Sequence, residues 1–154
     1  MTEDSPNLTN VVKSPPLYPA RILAVQAIYS MNFVTGKKDL SEVASDYIGY
    51  HITKYPSQNL EQRFYLNLLK STSNNLEYID KKISSKLENT WKLERLPKLV
   101  LAILRVGGTE IVISQDSQIP IIINDYLQIS KSLNHEGEIG FINSILDKIA
   151  KEKG

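Results

Sequence analysis

The stretch Trp91 to Ile113, WKLERLPKLVLAILRVGGTEIVI, sets the strongest limit on how this chain can fold. Leu96, Leu99, Val100, Ile103, Leu104, Gly107 and Ile111 recur at helical spacing and form one wide apolar face, and Pro97 is tolerated near a helix start. The Gly-Gly pair raises the competing idea of a strand feeding a phosphate loop. Such loops need GxxxxGK[ST] or GxGxxG, because several glycines must let backbone N–H groups crowd a phosphate, and RVGGTEIV has neither spacing. Two glycines inside a helix cost about 1 kcal/mol each against alanine. The expected compensation is a second helix approaching closely at Gly107 and Gly108. Arg105 and Glu110 fall on the opposite, narrower face, where a solvated pair or an anchor to a neighbouring loop is the ordinary expectation.

The rest of the chain reads as more helices. Ala20, Leu23, Ala24, Ala27, Ile28 and Met31 share a helical face, with Pro19 suited to a first turn and Gly36 available as a stop. Asp39 with Glu42 is a capping-box pattern ahead of Leu40, Val43, Ala44, Tyr47, Ile48 and His51, in a helix expected to end before Pro56. Asn59 with Gln62, and Asn74 with Glu77, repeat that pattern before the segments through Leu69 and Leu87. Ile119 to Leu133 and Phe141 to Lys151 complete the set, although the β-branched IPIIIN also fits a short strand. About seven helices and no convincing sheet predict an all-α fold, a single helical bundle. Residues 1–19 carry four of the seven prolines and read as a flexible Pro-rich arm, so the domain spans 20–154.

With 154 residues the chain suits one domain with a sizeable core. A net charge of +1 means that any nucleic-acid binding must come from a local patch, since bulk positive charge is missing. There is no cysteine, and His51 and His135 lie far apart without a second ligand at metal spacing, so no metal or cofactor is expected. No apolar run reaches membrane-spanning length, and Glu3 and Asp4 stand where a signal peptide would be positive; a cytoplasmic protein is expected.

No nucleophile and base set, no paired carboxylates and no zinc-binding helix stands out, so nothing demands an enzyme. For RNA, Arg21 and Tyr29 lie about 80° apart on one helix, and Phe141 and Lys148 share a stripe on another. A cation beside an aromatic ring is a common way to hold single-stranded RNA. Core packing for the rings and solvation for the charges is the ordinary alternative.

Four ordered segments together resemble the bacterial transcription antitermination factor NusB family. Trp91, Leu93, Arg95, Leu96, Ala102, Ile103, Leu104, Arg105, Gly107 and Glu110 match its central motif. ARILAVQAIYS (20–30), FYLNLLKSTSNNLEYID (64–80) and FINSILDKIAKE (141–152) match before and after it. The resemblance implies two packed helical halves and no catalysis. It also implies pairing with NusE, a small-subunit ribosomal protein, and binding of boxA RNA to help RNA polymerase, with other Nus factors, read through terminators, notably in ribosomal RNA operons. By match it makes Arg21, Gln26, Tyr29, Phe141, Asn143 and Lys148 RNA-side candidates, and Arg105 and Glu110 partner-side candidates.

Two departures stand out. Relatives carry an arginine-rich start to the first helix, whereas KSPPLYPAR keeps only Lys13 and Arg21, which predicts weaker RNA binding alone, a shallower salt slope and more reliance on NusE. IPIIINDYLQ is about two residues shorter than the usual spacing but keeps Asn124 and Asp125. Two other readings stay open at this level. One is the NusB-like RNA-binding domain of an RNA cytosine methyltransferase, which would need a methyl-donor domain beyond Gly154. The other is a protein-interaction module that has lost RNA binding.

Overall fold

The computed structural model describes residues 16–31, 39–55 and 59–153. Among these, seven α-helices and three short 3₁₀ turns account for the regular structure, and there is no strand. The helices are α1 (Tyr18–Met31), α2 (Leu40–Lys54), α3 (Gln62–Asn74), α4 (Leu76–Lys86), α5 (Lys98–Ile113), α6 (Ile119–Ser132) and α7 (Ile139–Lys153). The IPIIIN segment is the start of α6, with Pro120 in its first turn, so its strand alternative falls away. Most of the expected arm, 1–15, lies outside the described residues, as do Gly36 and Pro56. Tyr18 and Pro19 belong to the first helix and not to the arm, and Pro19 is buried.

α5 organises the rest. Eleven of its residues, from Val100 to Ile111, are buried, which is what a helix apolar on nearly all sides requires. It packs against α1 and α3 on one side and against α4, α6 and α7 on the other, so the bundle has two halves sharing one central helix. Leu96 lies just ahead of α5, buried behind a 3₁₀ turn (Leu93–Arg95), and Pro97 occupies the N-cap position.

The glycine pair is the closest part of this packing. A Cβ at Gly107 would lie 3.1 Å from Cγ of Tyr126 on α6, and one at Gly108 would lie 3.0 Å from Cδ1 of Ile79 on α4 and 3.3 Å from Cδ1 of Ile149 on α7. Three helices therefore close on α5 within two residues, as the spacing predicted.

The ends of the helices differ more from expectation. Asp39 and Glu42 form the capping box, the Asp39 side chain accepting from the Glu42 N–H at 2.9 Å. The other two boxes do not form. α3 starts at Gln62 after Glu61, without a side-chain cap. Asn74 is the last residue of α3, and its neighbour Asn75 donates back to the Ser71 carbonyl at 2.8 Å, so α4 follows with almost no linker for a cap to occupy. α6 ends in a Schellman arrangement: Asn134 takes the left-handed conformation (φ 66°), the His135 N–H donates to the Ser130 carbonyl and the Asn134 N–H to that of Lys131. That turn sends the chain back into α7.

α7 is fastened at its far end. Lys153 donates to the carbonyls of Ile111 (2.8 Å) and Ser114, so a cation meets the C-terminus of α5 where the unpaired carbonyls lie. Lys82 (2.6 Å) and Lys86 (2.8 Å) of α4 both bond Glu152. These bonds hold the Glu152 carboxyl down at about 2, against an ordinary 4.5.

Two stability measurements follow from this packing. Gly107→Ala is expected to destabilise by about 1 kcal/mol, because crowding the Tyr126 ring costs about 1–3 kcal/mol and the helix gain returns about 1. Gly108→Ala is expected to be near neutral, since only the mobile ends of Ile79 and Ile149 must shift; urea unfolding that ranks the two the other way would contradict the packing account. Glu152 has its folded pKa depressed, so its stabilisation is present above pH 4.5 and fades as pH falls toward 2. The stability gap between the native chain and Glu152→Gln, followed by denaturant melts across that range, is expected to close at the acid end.

Candidate nucleic-acid interface

Arg21 sits in the first turn of α1, where a phosphate contact was expected, but it is only 5% exposed. Its Nε donates to Glu110 on α5 at 2.9 Å, and its Nη1 donates to Asp125 on α6 at 2.7 Å. The Phe64 ring of α3 lies under the guanidinium, 5.4 Å from centroid to Cζ. Tyr126 donates its hydroxyl to Glu110 at 2.8 Å, so the Glu110 carboxylate receives both a cation and a phenol. Burial works against the charge on Arg21, but the bonds and charges of Glu110, with Tyr126 and Asp125, outweigh it and hold the guanidinium above its ordinary pKa. Burial, then Glu110, pushes the Tyr126 phenol well up, so it stays a donor.

This geometry places two of the candidates inside the fold instead of on a solvated face. Arg21, the RNA-side candidate, and Glu110, the partner-side candidate and only 2% exposed, are both enclosed by their neighbours. The two form an internal ion pair joining α1 to α5. Periodicity placed Glu110 opposite the main apolar stripe, and Arg21 read as a phosphate contact or a solvated charge, but each helix is covered on that side too. The acid retained in the shortened IPIIINDYLQ segment, Asp125, completes the same cluster.

Arg105 is also committed within the fold. Its Nε and Nη2 each lie 2.8 Å from the Asp80 carboxylate, a two-bond fork from α5 to α4 that is partly buried. It is an anchor to a neighbouring helix, close to the ordinary expectation for it. Asp80 in turn lines a groove with Glu77, Lys81, Ser84, Trp91 and Glu94.

The remaining candidates fall on two grooves. Gln26 and Tyr29 of α1, both half-buried, line one with Asp46, Tyr47 and Tyr50 of α2. Phe141 and the exposed Lys148 of α7 line another with Lys86, Leu87, Glu88 and Trp91. Asn143 is exposed on α7 and lines neither of these grooves. Trp91 had been singled out only as part of a motif. It is 51% exposed, and its ring lies 6.4 Å from that of Phe141. Its position in a polar turn after α4, next to lysines, was the available signal for a surface role.

No group of histidine, aspartate and glutamate side chains suited to a metal ion occurs among the described residues, and no described helix is long and apolar enough to cross a membrane.

Removing one partner of a buried ion pair leaves the other charge unpaired, at a cost of about 3–5 kcal/mol. Arg21→Met should therefore lower unfolding stability by that order, and adding Glu110→Leu should recover part of the loss. A single variant that unfolds within 1 kcal/mol of the native chain would mean the cluster carries little of the fold's stability.

Comparison with known proteins agrees with this architecture. The family model described as "NusB family" matches residues 18–151. The transcription antitermination protein NusB of Rickettsia massiliae (strain Mtu5) is 34% identical over 141 residues, covering 86% of this chain and 90% of the relative. That of Bartonella quintana (strain Toulouse) is 31% identical over 137 residues, with 86% of each covered. Among solved structures, T. maritima NusB superposes with a TM-score of 0.76 at 26% identity, covering 90% of this chain and 93% of that one. A structure of antitermination factors NusB and NusE in complex with dsRNA superposes at 0.73, with 19% identity, 88% of this chain and 96% of that one covered, a likeness of fold. Matched along nearly all of the seven-helix bundle, this chain belongs to the NusB family.

Proposed function

We propose that this chain is a transcription antitermination factor that joins NusE in binding the boxA element of nascent RNA, supporting read-through by RNA polymerase together with other Nus factors. The observation that carries this reading is the relationship to antitermination proteins along almost the whole of both chains. The relatives are named for antitermination and not for methyl transfer, which favours this reading over a methyltransferase domain. The work it describes takes place in the cytoplasm, and no catalytic step belongs to it.

On this reading the RNA-side residues are Gln26, Tyr29, Phe141, Asn143 and Lys148. Arg105 serves the NusE side indirectly, by fixing Asp80 in the wall of the groove shared with Glu77 and Glu94. With Arg21 held inside the bundle, the cations left for phosphate are few. Few phosphate contacts release few counterions, so affinity is modest and weakly salt-dependent.

The test is fluorescence anisotropy of labelled boxA RNA titrated with the protein, with and without NusE. The expected result is weak binding alone, strengthened by NusE, with Lys148→Glu reducing both. Absence of binding in both conditions would overturn the reading.

A further inference from the structure

The turn between α4 and the 3₁₀ segment holds Trp91 at the surface. Its N–H donates to the Glu88 carbonyl at 2.8 Å, while Leu93, two residues on, packs against the core. A tryptophan half open to water is unusual, because its large apolar surface favours burial. One side of the ring is occupied by Phe141, at 6.4 Å between centroids and 42° between planes. A base inserted between two rings needs them near parallel and about 7 Å apart, twice the aromatic stacking distance. The observed pair is too close and too tilted for that, so a base meets the water-exposed part of the ring instead. Because Trp91 also borders the groove of Glu77, Asp80 and Glu94, the adjoining phosphate belongs at the Phe141 and Lys148 side, away from those carboxylates.

The charges nearby differ in how committed they are. Lys86 is tied to Glu152, and Glu88 adds a negative charge at the rim. Lys148 is exposed and has no ion pair among the described residues. The groove shared with Phe141 thus offers an exposed aromatic ring, a second ring beside it and one cation outside any ion pair among the described residues. That is the combination that takes a stacked base and its adjoining phosphate.

We propose that Trp91, backed by Phe141, is a stacking platform for one base of single-stranded RNA, with Lys148 meeting the neighbouring phosphate. The proposal rests on the RNA-binding reading above and adds a residue, a binding mode and a ligand form to it.

Trp91 is the only tryptophan of the chain, so its emission reports this site alone. The experiment titrates fluorescein-labelled single-stranded boxA RNA in the presence of NusE, reading RNA anisotropy and, in parallel with unlabelled RNA, the Trp91 emission; a tryptophan in the NusE used is replaced by phenylalanine beforehand. The expected result is quenching of Trp91 that saturates with the anisotropy. Trp91→Ala should weaken binding roughly ten-fold and Trp91→Phe much less, because stacking needs a ring and not the indole N–H. Lys148→Gln should lower the salt slope by about one. Circular dichroism of the variants is expected to match the native chain, since the ring lies outside the core. Binding by anisotropy with unchanged Trp91 emission and a Trp91→Ala variant of native affinity would overturn the platform and leave the RNA reading standing. No anisotropy change at all would overturn both.

Discussion

The Arg21–Glu110 pair is the contact on which the bundle's arrangement depends. A guanidinium is stable away from water only where its donors meet acceptors in fixed directions, and here those acceptors come from α5 and α6, with a ring from α3 beneath. Four helices must therefore take one mutual position for one charge to be satisfied. Apolar packing tolerates small slips between helices, whereas this cluster does not. Its Asp125 keeps some contact with solvent, which eases the burden of gathering two carboxylates around one cation.

Around that point the packing follows from α5. A helix buried along most of its length needs neighbours on every side, and five of the other six helices supply them in two groups. Gly107 and Gly108 let those neighbours approach without a side chain between, and Tyr126 serves twice, filling the space over Gly107 and holding Glu110. A helix that carries a glycine pair for close packing and a carboxylate for charge has little freedom left for a surface role. The open grooves flank α1, α4 and α7 instead.

The all-helical architecture was legible because apolar spacing repeats the same period through every segment, and the close crossing at the glycine pair was legible because two glycines need a compensating contact. The burial of Arg21 and Glu110 was not legible for one physical reason. A charged side chain normally marks a solvated face, and the sequence lists no distances, so two charges separated by 89 positions look independent. The caps show the same limit locally. Asp39 and Glu42 pair as their motif implies, but the Asn74 pattern failed where α3 runs straight into α4. Gln26, Tyr29, Phe141 and Lys148 were named by likeness and lie on grooves, yet Trp91, quoted in the central motif of the same resemblance, drew no candidate role because exposure cannot be read from spacing.

The sequence order of the central cluster also bears on how the chain is made. Arg21 leaves the ribosome long before Glu110 and Asp125, which follow it by 89 and 104 positions. Contacts so far apart close late, since a long loop must be ordered first. Without α5 and α6, the Arg21 cation of α1 lacks the carboxylates that let it be buried, and a buried charge without a partner is costly. The buried pair thereby ties completion of the early half to the late one: the packing around α1 is satisfied only once the helix that joins the two halves is in place.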